Sequence, residues 1–257
     1  RRCIESVLRL TEYPNFKLVL LENSVGSDDV RAYVEGLGDD RVVRHEAAFK
    51  PFNFSMLMNF GASVTDEPLL LLLNDDTEAL DGDWLTALVE LAIQPGIGAV
   101  GAKLIYPNGL VQHAGVVVGI GAGEHRVAVH AHKYFPEWHG GYAGFMLAIK
   151  NYSAVTAACL MVRREVFNEV GGFDDTNLAV AFNDVDFCLK IRERGYRNVV
   201  TPHAKLNHYE SLSRGRGLDQ GEIRWMVEKW GDRLDDDPYY NPNFAIDHPD
   251  YADFGLE

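Results

Sequence analysis

Cysteine is scarce. The chain of 257 residues holds three, Cys3, Cys159 and Cys188, with no CxxC or other paired spacing. That argues against a disulfide framework and fits reduced thiols in a cytosolic setting. Long apolar runs are missing too. A bilayer crossing needs roughly 18–20 consecutive apolar residues, and the longest aliphatic run is Leu69–Leu73, which suits a buried strand. Basic residues are few: 24 Lys and Arg against 38 Asp and Glu, a net charge of −14. This sign argues against general affinity for nucleic acid or for anionic membranes. There is no internal repeat, no signal peptide and no initiator Met. The chain opens Arg1-Arg2-Cys3, as expected of a piece of a longer protein.

The hydrophobic fraction of 47% and the 24 glycines suit a compact α/β enzyme. Ile4, Val7 and Leu8 have helical spacing. KLVLLE (17–22) reads as a strand, followed by a turn at 23–27, with Ser27 or Asp28 capping the next helix. Residues 41–46 read as a second strand, 54–64 as a helix, 68–73 as a third strand and 83–93 as another helix. Strand and helix repeating at this pitch imply a parallel sheet with helices on its faces, with ligands bound beyond the carboxyl ends of the strands. From Val100 the texture changes. Residues 100–106 and 110–120 read as β-rich, 121–150 as a Gly- and His-rich loop or lid, and 153–162 as a strand. Then follow helices at 164–170 and 184–194, a strand at 196–200, a loop at 211–221, a helix at 222–230 and a Pro- and Asp-rich tail at 232–257.

Two acidic segments carry the chemistry. In LLLLLNDDTEAL an oily strand stops at Asn74-Asp75-Asp76. Carboxylates there can hold Mg²⁺ or Mn²⁺ against substrate phosphates; equally they form a polar turn. In FNDVDFCLKIRERGY, Asn183-Asp184 and Asp186 open a helix. A carboxylate in that first turn can serve as general base, or can simply cap the helix and oppose its dipole. A third group, His203, His208, Glu210 and Arg214, offers an imidazole metal ligand and, with Arg216, cations for a diphosphate, or is a solvated loop. His125, His130, His132 and His139 have irregular spacing and lack a completing ligand, which disfavours zinc. Trp138 and Tyr142 either stack on a sugar or pack the loop. The two acidic segments together suggest group transfer from a nucleotide-linked donor.

In order along nearly the whole chain, CIESVLRLTEYPNFKLVLLENS, FNFSMLMNFGA, LLLLLNDDTEAL, SAVTAACLMVRREVFNEVGGFDD and NDVDFCLKIRERGY resemble the family 2 glycosyltransferases of the GT-A fold. LNHYES and DPYYNPNF resemble the subgroup that builds bacterial surface polysaccharides such as rhamnans and O-antigens. The resemblance implies a GT-A, Rossmann-like α/β domain with a mixed, mostly parallel sheet over 1–231 (a nucleotide-binding half, 1–100, and an acceptor half, 101–231), with the tail beyond. It implies metal-dependent, inverting transfer from a nucleotide-diphosphate sugar to a glycan or lipid-linked acceptor hydroxyl, in the cytoplasm or at the inner face of the plasma membrane.

By the same resemblance, Asp184 is the base and Asp76 the principal metal carboxylate, with His208 a further metal contact. Asn74 and Asp75 lie beside the ribose and diphosphate, Glu22 and Asn23 toward the nucleobase, Asn53 on the base-binding edge, and Arg214 closes over the diphosphate. Glu22 stands where the family usually has Asp, and Asn74 and Asn183 replace acids of the motifs. The family's first strand precedes Arg1, so further domains of a longer parent are expected. Two other readings stand beside this one: a non-catalytic glycan-binding or scaffolding module, and a sugar-nucleotide pyrophosphorylase, whose glycine-rich basic loop is not visible here. Glycoside hydrolysis needs two facing carboxylates and leaves the metal-type site without a role.

Overall fold

The computed structural model describes residues 1–23, 28–121, 126–210, 219–247 and 251. In chain order the elements are α1 (Arg2–Leu10), β1 (Leu18–Glu22), α2 (Asp28–Leu37), β2 (Val42–Glu46), α3 (Phe54–Ser63), β3 (Leu69–Leu73), β4 (Thr77–Ala79), α4 (Trp84–Ala92), β5 (Ile97–Ile105), β6 (Val111–His113), β7 (Val116–Val118), β8 (Ala128–His130), β9 (Lys150–Tyr152), β10 (Cys159–Arg163), α5 (Arg164–Glu169), α6 (Asn183–Glu193), β11 (Arg197–His208) and α7 (Gln220–Leu234). Among the described residues, no helix is long and apolar enough to cross a membrane.

The main sheet has the order β3-β10-β5-β11-β4, with β6 on β5 and β9 on β11. Strand β11 runs parallel to β5, and β10 lies antiparallel between β5 and β3. Strands β3, β5 and β11 therefore share a direction, and the sheet is mixed. Strands β1 and β2 form a separate parallel pair. Every residue of β5 is buried, because α4 packs on one face while α6 covers the other. On the first side Trp84 and Leu88 join Val7 of α1; on the other, Phe173 and Phe187 stack at 4.6 Å within the cluster built by α5, α6 and α7. Burial pushes the thiols of Cys3, Cys159 and Cys188 up, so they stay protonated.

Three segments depart from the sequence expectation. The strand expected at 196–200 runs on to His208. Pro202 reads as a breaker, but a register shift between Thr201 and Lys205 absorbs it as a bulge. The strand expected over 153–162 is interrupted between β9 and β10, leaving 153–158 as irregular backbone. The segment after 231, expected as a tail, packs on the domain. Tyr240, Phe244 and Tyr251 belong to the core, and Asp237 Oδ2 accepts the Val118 N–H at 2.9 Å. Gly119 permits this approach. It has φ +72°, and a Cβ there would lie 1.7 Å from the Leu234 carbonyl oxygen.

Candidate active site

A continuous cleft of about 2580 Å³ opens at the carboxyl ends of β1 and β3. Glu22, Asn23, Asn74, Asp75, Asp76, Asp184 and His208 all line it. Its volume exceeds the ~300–1000 Å³ of an ordinary small-molecule pocket. The surplus lies between the facing edges of β1 and β3, whose residues 18–22 and 69–73 line it throughout.

A tight turn brings the first acidic segment into place. The Asn74 carbonyl accepts Thr77 Oγ1–H at 2.7 Å and contacts Cys3 Sγ at 3.5 Å, so the turn is closed and tied to the first turn of α1. The chain then enters β4, whose Thr77 is in register with His208 of β11, and the Tyr209 N–H donates to the Asp76 carbonyl at 2.9 Å. Asp76 Oδ1 and His208 Nε2 stand 3.2 Å apart, both largely shielded. Two neighbouring ligands on one octahedral ion with bonds of ~2.0–2.2 Å stand about 3 Å apart, so this pair fits a hard divalent cation. Among the described residues no third His, Cys, Asp or Glu joins the pair. The remaining positions fall to water and substrate oxygens, as Mg²⁺ and Mn²⁺ prefer. His208 Nδ1 is buried without a hydrogen-bond partner among the described residues.

Asp184 is half-buried in the first turn of α6. Its Oδ2 accepts the Ala157 N–H at 3.1 Å and its Oδ1 the Val185 N–H at 2.9 Å. The neighbouring Ala158 carbonyl accepts the Asn74 N–H at 3.0 Å. The irregular backbone ahead of β10 thus spans from the start of α6 to the end of β3. A regular strand through 153–162 would send these groups into sheet pairing instead.

The other expected positions separate. Glu22 is buried beside Arg44, with Oε2 to Nη2 at 2.5 Å, so its carboxylate is engaged by the protein as well as facing the cleft. The Asn23 side-chain oxygen accepts the Phe49 N–H at 2.8 Å. Asn53 does not reach the large cleft; it borders a separate hollow of about 310 Å³. The reason is that its side chain caps α3, accepting the Met56 N–H at 2.8 Å, while Nδ2 donates to the Asp175 carbonyl at 2.8 Å. Asp75 is exposed at the rim, and His203 points to solvent. Arg214, Arg216 and His125 lie outside the described residues.

Of the remaining histidines, His130 borders the cleft and meets His113, Nδ1 to Nδ1, at 2.8 Å. His113 was missed by sequence reasoning. Burial holds it well below the usual histidine range, with repulsion from His130 and His208 adding to this, so it is neutral. Its signal was local: VQH is a short strand whose imidazole has no solvent face. Lys133 and Glu210 also line the cleft, the latter accepting from Tyr106 Oη.

The family model described as glycosyltransferase like family 2 matches residues 1–227. The chain is 44% identical over 260 residues to the uncharacterized protein y4gI of Sinorhizobium fredii, covering 98% of this chain and 28% of that protein. It is 36% identical over 252 residues to the O-antigen biosynthesis protein RfbC of Myxococcus xanthus, covering 96% and 19% respectively. The chain thus spans less than a third of the length of these curated relatives. Among solved structures, GalNAc-T7 with UDP, GalNAc and Mn²⁺ aligns with a TM-score of 0.69 at 15% identity, over 91% of this chain and 46% of that one. At that identity the likeness establishes the fold.

Proposed function

The chain belongs to the glycosyltransferase like family 2, and from that premise we propose that it performs metal-dependent, inverting transfer of a sugar from a nucleotide-diphosphate donor to an acceptor hydroxyl. The observation that carries this reading is the cleft shared by the Asp76–His208 pair and Asp184, joined through Ala157 and Ala158. In this reading Asp184 takes the proton of the acceptor hydroxyl as its oxygen attacks the anomeric carbon. The Ala157 N–H aims the carboxylate, and the N-terminus of α6 favours its ionised form. Asp76 and His208 hold Mg²⁺ or Mn²⁺, which when bound offsets the charge of the leaving diphosphate. Asn74 and Asp75 flank the ribose and diphosphate, Glu22 borders the nucleobase, and Asn23 contributes to the donor site.

GalNAc-T7 carries UDP and Mn²⁺, which supports a nucleotide donor and a divalent ion. The O-antigen name of the Myxococcus relative supports a surface-glycan acceptor. The experiment is release of nucleoside diphosphate from a panel of UDP-, GDP- and dTDP-sugars, with Mn²⁺ and with EDTA. Mn²⁺-dependent release supports the transferase. Binding of glycans without release favours the non-catalytic module, and formation of nucleoside triphosphate from pyrophosphate favours the pyrophosphorylase.

We also propose that the gap between β1 and β3 receives one extended strand of the longer parent polypeptide. Among the described residues β1 pairs only with β2 and β3 only with β10, so each presents an open edge to the gap. The first turn of α1 touches the Asn74 carbonyl, at the carboxyl end of β3. A strand leading into α1 would therefore end beside Asn74 and run parallel to both neighbours, giving the right-handed strand–helix–strand unit that parallel sheets use.

A further inference from the structure

Glu222 is a buried carboxylate, 8% exposed, and none of the described ion pairs includes it. It lies in the first turn of α7, whose N-terminus is capped by Asp219. Its Oε1 accepts the Val180 N–H at 2.8 Å and its Oε2 the Ala181 N–H at 3.0 Å. Both oxygens thus grip successive peptide groups of the turn that leads into α6.

That turn decides where Asp184 points. Phe182, immediately before α6, has φ 56°, a left-handed conformation that a bulky side chain holds only when its surroundings over-determine it. From the other side the N-terminus of α3 holds the same segment: the Phe54 N–H donates to the Ala179 carbonyl at 2.7 Å, and Ser55 Oγ donates to the Leu178 carbonyl. The bodies of α6 and α7 are already joined elsewhere. Asp186, fully buried, accepts from Lys229 Nζ at 2.6 Å and Trp230 Nε1 at 2.8 Å. The grip of Glu222 is separate from that joint and falls on the turn ahead of α6.

We propose that Glu222 is a positioning residue for Asp184: by clamping the amides of Val180 and Ala181 it fixes the start of α6 and so aims the base. The proposal rests on the reading of Asp184 as base. Glu222→Gln tests it with little change of shape. The amide side chain keeps one acceptor and turns an NH₂ toward the other backbone N–H.

We expect Glu222→Gln to fold, to bind Mn²⁺ with UDP or GDP within about threefold of the parent, and to lose about tenfold or more in turnover on the donor panel, since small misplacements of a reacting group are costly. Amide exchange supplies a readout that does not need turnover. The N–H groups of Val180 and Ala181, and with them that of Ala157, should exchange faster, while Leu160 and Val200 in the sheet stay protected. Glu222→Asp, too short to hold both amides, should fall between. The idea is overturned if Val180 and Ala181 are released in Glu222→Gln while Ala157 exchange, and turnover where it is measurable, match the parent. Asp184→Asn run alongside separates the two readings: if it keeps turnover, the base assignment fails; if it loses turnover while Glu222→Gln does not, only the positioning role fails.

Discussion

His208 Nε2 stands 3.2 Å from Oδ1 of Asp76, which immediately precedes β4, the antiparallel neighbour of β11 whose register places Thr77 opposite the histidine. One comes from the turn after β3, the other from the last residue of β11. The pairing of β4 with β11 sets their separation. We predict that Asp76→Ala and His208→Ala each weaken Mn²⁺ binding in the presence of UDP or GDP by about tenfold or more. Calorimetric titration of EDTA-stripped protein measures this, and variants that bind Mn²⁺ as the parent does would remove the metal assignment.

Asp184→Asn keeps the size of the side chain and one acceptor oxygen, enough for the Ala157 or the Val185 N–H but not both, and loses the carboxylate. Turnover should fall by about 10²–10⁴-fold, with donor affinity nearly unchanged, because the role arises in the transition state. Near-normal turnover would rule Asp184 out as the base.

Extending the chain upstream into its parent should fill the gap between β1 and β3. Backbone amides of residues 18–22 and 69–73 should then exchange more slowly than in the present chain, read by hydrogen–deuterium exchange. Equal exchange with and without the extension would refute the strand. Protection that instead rises with concentration of the present chain would point to edge pairing between two copies.

Lys229→Met leaves the buried Asp186 with Trp230 Nε1 at 2.8 Å and Lys190 at 3.5 Å, but removes its shortest contact. Lys229 is itself partly exposed, so the loss should sit below that of a fully buried pair, at about 2–3 kcal/mol. Denaturant unfolding reads it; a change under about 0.5 kcal/mol would show the pair to be idle.

Lys150 lies against the rings of Phe145 and Tyr152, 4.6 and 4.0 Å from their centroids. Burial lowers its ammonium from 10.5 to about 8. Between those values the folded chain binds fewer protons than the unfolded one, so this group adds stability as pH rises through the window and withdraws it as pH falls toward 8. Relative to Lys150→Met, the parent should gain melting temperature between pH 8 and 10. A parent that loses ground to the variant over that range contradicts the shift.

Much of the layered architecture was legible because its signals are local. LLLLL suits a buried strand, and NDVDFCLKIRERGY carries a helix period closed by Gly195. The acids were legible for the same reason, since a charged turn after an oily strand stands out. What did not show was anything decided at long range. Nothing in CLMVR says that it inserts antiparallel between β3 and β5. Pro202 reads as a stop, yet a bulge carries β11 past it to His208. Resemblance alone puts Asn53 on the base-binding edge, and its role as the cap of α3 did not show. Asp237, Tyr240 and Phe244 sit in a stretch rich in Pro and Asp, and only their partners across the fold bury them.

Ala157 and Ala158 enter the site through main-chain atoms alone: the N–H that Asp184 Oδ2 accepts, and the carbonyl that accepts the Asn74 N–H. Under the proposed reading, substitution of the Ala157 or Ala158 side chain leaves the atoms that make these two contacts in place. Preference for one sugar or another can drift in the walls of the cleft while the axis of the reaction stays still.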